Sequence, residues 1–279
     1  MKKQIIVILF LLTLPLFSQT KMIIYKTDGS VDSVILSQIK DITFTNTSSP
    51  VSTQGLVAYY PFDGNAVDSS GHGYNGTVYF ASYTKDRFGV DTGAYSFDGQ
   101  GDAIDLGNIL DQVFCAPVAK FSVSGWALVR SGNGPISSHI IGKNAGGNGP
   151  YQWVVSYLNG YIVGSVFSDS AGQNYIALIN PVSFNQWVHF VLVFDGSLPE
   201  LQRVKLYVNG TTNSTSLYQH SGTLGTSTTD SQQRLSIGAS RPPNTIAWNN
   251  FLNGDVDDIR IYNRALSDSE VLSLYLSTN

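Results

Sequence analysis

Short apolar segments separated by turn residues recur along most of the chain. Residues 204–208 alternate between apolar and other side chains, as expected for a strand with one buried face. Residues 187–195 are apolar at both parities, which predicts a central strand covered on both faces. Asn-Gly pairs at 159–160 and 209–210 indicate tight hairpin turns. Because long helical patterns are absent, the chain is predicted to be all-β, built from many short antiparallel strands.

The apolar pattern changes phase once within residues 254–266 (GDVDDIRIYNRAL), which we interpret as the last strand of the fold. Ile259 has the opposite parity to Val256, and a phase change of this kind usually marks a β-bulge. The bulge is predicted at Asp257 and Asp258. Adjacent carboxylates repel each other, so we expect them to be solvated or to share a positive partner, either the next arginine or a bound Ca²⁺ ion.

Four segments follow one another in the predicted domain organisation. Residues 1–18 combine two lysines with an apolar run and predict a signal peptide, so we expect an exported protein without a transmembrane anchor in the mature chain. Residues 19–46 predict a small β unit, and the polar residues 47–54 predict a linker. Residues 55–279 form the main domain, which we expect to end in a short helix with Ser267 as its N-cap.

Composition narrows the possible functions. The 279 residues are 42% hydrophobic and 13% charged, which suits one sizeable domain with a small appendage. The formal net charge of −4 and the lack of a basic cluster argue against a nucleic-acid partner. The single cysteine, Cys115, excludes an internal disulfide.

Several motifs carry a family resemblance. They are L-V-A-Y-Y-P-F-D-G from residue 56, W-x-H-x-x-x-x-x-D-G from residue 187, V-K-L-Y-V-N-G from residue 204, and G-x-V-D-D-I-R-I-Y-N-R-A-L-S-x-x-E from residue 254. Together they resemble the laminin-G-like, concanavalin A-like jelly-roll domains of secreted bacterial proteins, which have pentraxin-like relatives. The resemblance implies a two-sheet antiparallel jelly-roll sandwich over residues 55–279, in which the first and last strands pair.

Oxygen-rich side chains concentrate in the loop after the first strand of this domain, between glycines that let backbone carbonyls turn inward. These residue types are also ordinary turn formers, so the loop has an alternative, purely structural interpretation. Since the resemblance brings this loop close to the final strand, we expect both segments to supply ligands to a structural Ca²⁺ ion. The predicted ligands are Asp63, Asn65, Asp68, Asp257 and Asp258.

Aromatic side chains are the candidates for carbohydrate binding, because a sugar ring stacks its apolar face on Trp or Tyr while polar groups bind its hydroxyls. Trp248 lies in a polar loop beside Asn249, and we expect its ring to be exposed. Trp153 and Tyr157 share one face of a predicted strand, where they either bind ligand or belong to the core. These four are the predicted ligand-binding residues, whereas the two other tryptophans are expected in the core.

The sequence lacks the usual motifs of hydrolytic and metal-dependent enzymes. A glycoside hydrolase needs two facing carboxyl groups, but the only glutamates are Glu200, in a loop, and Glu270, in the terminal helix. Neither a G-x-S-x-G elbow nor a metal-binding histidine spacing occurs. We therefore expect a secreted or cell-surface, non-enzymatic module that binds a glycan or a cell-surface or matrix ligand. The alternatives are a protein-binding adhesion or structural module and, in third place, a glycoside hydrolase.

Overall fold

The computed structural model describes most of the chain. The described residues are 21–25, 31–38, 51–131, 137–144, 151–168, 174–178, 181–212, 216–220, 223–228, 232–241 and 247–277. The predicted signal peptide at 1–18 lies outside them. The chain divides into two units, Met1–Thr47 and Ser48–Asn279, each with its own internal contacts.

The first unit contains an antiparallel hairpin. Its strands are β1 (Lys21–Tyr25) and β2 (Val31–Ile35), and a single 3-10 turn, Leu36–Gln38, follows β2. Both strands agree with the small β unit predicted at residues 19–46. Residues 19–20, 26–30 and 39–46 of that unit lie outside the described residues.

Short strands make up most of the second unit, as the alternating pattern predicts. They are β3 (Leu56–Tyr60), β4 (Thr77–Tyr79), β5 (Ser82–Thr84), β6 (Ala94–Asp98), β7 (Ala103–Gly107), β8 (Lys120–Val129), β9 (Ser137–Asn144), β10 (Tyr151–Leu158), β11 (Tyr161–Phe167), β12 (Asn174–Leu178), β13 (Trp187–Asp195), β14 (Val204–Val208), β15 (Ser216–His220), β16 (Leu235–Ile237) and β17 (Asn253–Tyr262). The described part of the unit also contains the short helix α1 (Asp111–Phe114) and the C-terminal helix α2 (Asp268–Leu276).

The strands form two antiparallel sheets. The larger, eight-stranded sheet has the order β15-β12-β11-β10-β9-β16-β7-β4. The smaller, seven-stranded sheet has the order β14-β13-β8-β17-β6-β5, and β3 pairs with β17. This arrangement confirms the predicted all-β jelly-roll sandwich with a short C-terminal helix, and it confirms that the first and last strands pair.

Side chains of one parity from both sheets meet in the core. Ile259 and Ile261 of β17, Phe190 of β13 and Trp153 of β10 are all fully buried there. Gly125 of β8 makes room for two of them, since a Cβ at this position would lie 2.3 Å from Cδ1 of Ile259. Each large apolar side chain buried in this way contributes about 1.5–3 kcal/mol to folding.

Helix α2 covers part of the outer face of the smaller sheet. Val191 and Tyr207 of the sheet are buried together with Leu274 of the helix. The predicted capping box is present, because the Ser267 side chain accepts a hydrogen bond from the Glu270 N–H while the Glu270 carboxylate accepts one from the Ser267 N–H. Strand β13 is therefore covered on both faces, as its sequence predicts.

Strand β17 carries the predicted bulge. Its pairing with β8 changes register between Asp257 and Arg260, and Asp258 has a φ of +53°. Val256 and Ile259 have opposite parities in the sequence, yet both are fully buried in the core. The extra residue at the bulge reconciles the two parities.

Two tryptophans expected between the sheets lie outside that space, although Trp126 is buried. Trp126 belongs to the outer face of the smaller sheet, where its ring centre lies 5.1 Å from that of His189 and 5.8 Å from that of Tyr275. Trp187 is half-buried at the start of β13. The expectation failed because an alternating strand identifies two faces but not which of them is turned to the core.

The C-terminal half of the predicted linker packs on the sandwich. Arg264 donates hydrogen bonds from Nε to the carbonyl of Gln54 at 2.7 Å and from Nη2 to Oγ of Ser52 at 3.1 Å. Residues 51–54 therefore belong to the second unit rather than to a free linker.

Candidate functional site

A cluster of charged and aromatic side chains lies on the outer face of the larger sheet, near its β4 edge. Strand register places Thr77, Asp105, Ser236 and Gly142 side by side across this face. Asp105, Ser236 and Gly142 are buried, whereas Thr77 at the edge of the sheet is exposed. The charged and aromatic side chains beside this row, which we call the Trp248 cluster, are Tyr79, Asp105, Arg234, Arg241 and Trp248.

Asp105 is the buried anchor of the Trp248 cluster. Its side chain is only 2% exposed, and both of its oxygens accept hydrogen bonds at 2.9 Å from Nε of Arg234. Oδ2 also accepts a hydrogen bond at 2.9 Å from Nη1 of Arg241, and Oδ1 accepts one at 2.9 Å from the Gly107 N–H. These charge-assisted contacts hold both guanidinium groups in place.

Trp248 is half-buried, and its ring has neighbours on two sides. The ring centre of Tyr79 lies 5.6 Å away, and the guanidinium carbon of Arg241 lies 5.3 Å from the Trp248 ring. A β-bridge between Ser240 and Asn249 fixes the backbone next to it through two hydrogen bonds of 2.9 Å. The Trp248 ring is thus held in one orientation while part of it stays open to solvent.

Asn249 serves the structure of this loop. Its side-chain oxygen accepts a hydrogen bond from the Ser240 hydroxyl, which also accepts one at 3.1 Å from Nδ2 of Asn250. The Asn250 carbonyl accepts a hydrogen bond at 2.8 Å from the His139 N–H. The Asn249 side chain therefore positions its neighbour Trp248, and a role of Asn249 in ligand binding stays a prediction.

His139 lies below this face and stays neutral at physiological pH. Burial lowers the pKa of its imidazole to about 4. Its Nε2 is 3.0 Å from the Ser236 carbonyl, which must accept the hydrogen bond. The positive charge of the site therefore comes from its arginines.

Trp153 and Tyr157 have no ring face available for a ligand, which corrects the expectation that they bind one. Trp153 is fully buried, with ring centres of Phe114 and Phe121 at 5.1 Å and 5.9 Å. Tyr157 is 7% exposed and packs against Phe184 at 5.6 Å. Both side chains lie on the core face of β10. This agrees with the alternative given above, in which their shared face belongs to the core rather than to a ligand site.

Sequence reasoning missed four members of the cluster, Tyr79, Asp105, Arg234 and Arg241. The only local signal was at Asp105, which alternates with the buried Ile104 in β7 and so lies on the outer face. The other three positions carry no motif, and strand order alone brings them together.

The oxygen-rich loop has a well-bonded centre. The buried carboxylate of Asp68 accepts hydrogen bonds from the backbone N–H groups of Tyr59 at 3.0 Å, Ser70 at 2.9 Å and Tyr74 at 3.1 Å. Burial acts to raise the pKa of Asp68, but these hydrogen bonds outweigh it and hold the pKa below its usual value. Asp68 therefore stabilises the loop by accepting backbone donors.

The two bulge carboxylates have arginine partners. Nη1 of Arg87 lies 2.7 Å from Oδ2 of both Asp257 and Asp258, and Nη2 of Arg260 lies 3.1 Å from Oδ1 of Asp258. The Tyr59 hydroxyl donates to the same Oδ1 at 2.9 Å. Burial first, and then repulsion by Asp258, raises the pKa of Asp257 to about 8. The shared positive partner expected at the bulge is thus arginine, including Arg87, which the sequence did not indicate.

These contacts do not fit one calcium site shared by the loop and the bulge. Ca²⁺ takes about six to eight oxygen ligands, whereas Asp68 is engaged by N–H donors and Asp257 and Asp258 by guanidinium groups. Within the described ranges, no group of three or more His, Cys, Asp or Glu side chains is placed to hold a metal ion. Asp63 and Asn65 are exposed, and calcium binding through them stays a prediction.

Calcium binding at the exposed loop is tested by calorimetric unfolding with Ca²⁺ and with a chelator. An ion that binds only the folded chain raises the melting temperature. Asp63→Asn removes one charged ligand and is expected to abolish that rise. Asp268→Asn alters a carboxylate that is 78% exposed in the C-terminal helix and should leave the rise intact. A wild-type melting temperature that does not respond to Ca²⁺ would contradict the prediction.

Comparison with solved structures supports the fold. Domain 4 of an extracellular GH43 arabinanase from Geobacillus stearothermophilus, solved with arabinotriose, is 19% identical, with a TM-score of 0.50 and coverage of 79% of this chain and 98% of that one. The binding domain of Paraclostridial Mosquitocidal Protein 1 is 20% identical, with a TM-score of 0.59 and coverage of 79% and 52%. Trypanosoma rangeli sialidase is 18% identical, with a TM-score of 0.54 and coverage of 81% and 33%.

The last two matches span about half and a third of the other chain, so the likeness concerns the fold. No curated protein sequence matches the chain. None of the helices in the described ranges is long and apolar enough to cross a membrane. The family model described as the concanavalin A-like lectin/glucanases superfamily, of laminin-G type, matches residues 98–272, well over half of the sequence. The chain therefore belongs to the concanavalin A-like lectin/glucanases superfamily.

Proposed function

We propose that this protein is a secreted, non-enzymatic module that recognises carbohydrate through the Trp248 cluster. The observation that carries the proposal is the partly exposed ring of Trp248, which contacts Tyr79 and Arg241 beside the buried Asp105. A pyranose ring has an apolar face and a polar rim, so it needs an aromatic platform next to hydrogen-bond donors. A platform that is fixed before binding also loses less conformational entropy when the ligand arrives.

The neighbours of Trp248 supply the polar contacts of this proposed binding mode. A sugar that stacks on the ring would meet the N–H groups of Arg234 and Arg241 on one side. The exposed Thr77, which pairs with Asp105 across the strands, offers a hydroxyl on the same face.

The buried carboxyl groups of the two sheets support binding over hydrolysis. A glycosidase needs one carboxyl group as proton donor and a second as base or nucleophile, at a separation of about 5–10 Å. Asp105 is engaged on both oxygens by arginine. Asp257 and Asp258 are buried in the smaller sheet with Arg87 and Arg260 as partners. Neither arrangement leaves a carboxyl group free to exchange a proton with a sugar.

Two further observations support this proposal. The predicted signal peptide at 1–18 is consistent with export. The arabinanase domain, which the chain matches over nearly its full length, is extracellular and was solved with arabinotriose. The identity of 19% is too low to carry over its ligand, so the sugar is sought in the site itself.

Replacing Trp248 by alanine is expected to reduce glycan binding at least tenfold, because stacking on the ring supplies much of the contact area. A glycan array identifies the best ligand, and titration calorimetry then measures its affinity for each variant. Trp187→Ala is the matched control, because Trp187 is also half-buried but lies in the smaller sheet. Equal losses in both variants would contradict binding at Trp248.

A protein partner is the second candidate, and one observation favours it. Phe80 is 85% exposed with a φ of +60°, and the Ala81 N–H donates to the Tyr79 carbonyl at 2.8 Å. This tight turn holds an apolar ring in solvent at some backbone strain. Tyr83 and Phe88 are also exposed nearby in the sequence. If no glycan binds, Phe80→Ser becomes the first variant to test against candidate protein ligands.

A further inference from the structure

The Trp248 cluster carries a net positive charge in a chain whose formal net charge is −4. It contains two guanidinium groups, Arg234 and Arg241, and one carboxylate, Asp105. Arginine stays protonated at physiological pH. By formal charge, the two arginines of the cluster therefore exceed its single carboxylate by one.

The oxygens of Asp105 are already used by the protein. Oδ1 accepts hydrogen bonds from the Gly107 N–H and from Nε of Arg234, and Oδ2 accepts from Arg234 and from Arg241. The side chain is 2% exposed. Asp105 thus positions the arginines and cannot serve as the acceptor for sugar hydroxyls.

Arg234 presents donors to solvent. Its Nε is held by Asp105, but no acceptor among the described residues meets its two terminal nitrogens, and its side chain is 40% exposed. The terminal N–H groups of a guanidinium form a planar fork that matches the two oxygens of a carboxylate. The fork is fixed at one end, so little side-chain freedom is lost when an anion binds.

We infer that the ligand of this site is an acidic glycan, whose ring stacks on Trp248 and whose carboxylate pairs with Arg234. The inference rests on the proposed function and adds the chemical class of the sugar. A neutral sugar would leave the extra charge and the open fork unused. A carboxylate-bearing sugar, such as a uronic acid, balances the charge and fills both donor positions.

The test compares matched pairs of oligosaccharides, each a uronic acid oligomer and its methyl ester, in several ring configurations. Wild-type protein is expected to bind the acid of at least one pair about tenfold more tightly than its ester. In Arg234→Gln the ratio of acid affinity to ester affinity should fall to nearly one. Arg234→Lys keeps the charge but loses the fork and should retain an intermediate preference. Lys85→Gln, which removes an exposed positive charge elsewhere, should keep the full preference.

Two further measurements distinguish the inferred acidic ligand from the proposed carbohydrate binding on which it rests. Added salt should weaken binding of the acid and leave binding of the ester nearly constant, because salt screens charge but not stacking; this readout needs no variant that might fold poorly. Equal affinity for acid and ester in the wild type would overturn the acidic ligand and leave carbohydrate recognition standing. If neither the acid nor the ester of any pair binds, both the acidic ligand and carbohydrate recognition are overturned. Loss of all binding in Trp248→Ala would show that acid and ester bind at the same site.

Discussion

Replacing Arg87 by methionine is expected to lower the free energy of unfolding by about 3–5 kcal/mol. The Arg87 side chain is 5% exposed, and its Nη1 lies 2.7 Å from a carboxylate oxygen of both Asp257 and Asp258. Its guanidinium carbon also lies 4.8 Å from the Trp126 ring. Without this cation, two adjacent carboxylates would face each other in a buried site with only Arg260 to balance them.

Urea unfolding at pH 9, above the pKa of about 8 of Asp257, measures this effect. Lys85→Met is the matched control, because the Lys85–Asp91 ion pair is largely exposed and its loss should change stability by less than about 0.5 kcal/mol. Adding Asp257→Asn to Arg87→Met removes one of the repelling charges and should recover part of the loss. A loss in Arg87→Met as small as that of the control would show that the bulge carboxylates do not depend on arginine.

Much of the fold could be predicted from the sequence, because local rules and burial agree in most strands. The turn at Asn159 and Gly160 has φ values of +49° and +95°, as an Asn-Gly hairpin requires. The phase change at Asp257 and Asp258 identified the bulge in β17 correctly. Strands β4 and β5 escaped prediction because each has three residues and lies at a sheet edge, so neither shows a usable alternation.

The site was harder to predict than the fold. A polar loop context was enough to identify Trp248 as an aromatic side chain outside the core, although its ring is half-buried rather than exposed. Parity alone could not distinguish the core from the outer face for Trp153. Tyr79, Asp105 and Arg234 are far apart in the sequence, and they meet only because the larger sheet places β4, β7 and β16 next to one another. Strand order is a long-range property that no local pattern in this sequence encodes.

The same sheet order makes one glycine critical for both the core and the site. Gly238 follows β16 and lies between the core and the segment that carries Arg241 and Trp248. Its N–H donates to the Ile140 carbonyl at 3.0 Å, and its carbonyl accepts from the Leu252 N–H at 2.7 Å. These two hydrogen bonds fix the backbone of Gly238 at the start of the segment. The hydrogen bond from Leu252 also holds the end of the segment in place.

Replacing Gly238 by alanine is expected to lower the free energy of unfolding by about 2–5 kcal/mol. Its φ of +79° is unfavourable for any residue with a Cβ, and that Cβ would lie 2.1 Å from two ring atoms of Phe97. Phe97 is fully buried and cannot move aside without repacking the core. Urea unfolding measures this change in stability. Loss of either backbone hydrogen bond of Gly238 would also loosen the segment that carries Trp248.

Gly160→Ala separates the two causes. Gly160 has a φ of +95° but no atom within 4 Å of an added Cβ, so alanine there should cost only the backbone energy of about 1–2 kcal/mol. Shortening Phe97 to leucine makes room at Gly238. The double variant Gly238→Ala/Phe97→Leu should therefore lose less unfolding free energy than the sum of the losses in the two single variants. Equal losses at Gly238 and Gly160, or strictly additive losses in the double variant, would mean that the ring contact does not limit this position. A favourable coupling would show that close packing against Phe97 is what requires a glycine at the start of the segment that carries the site.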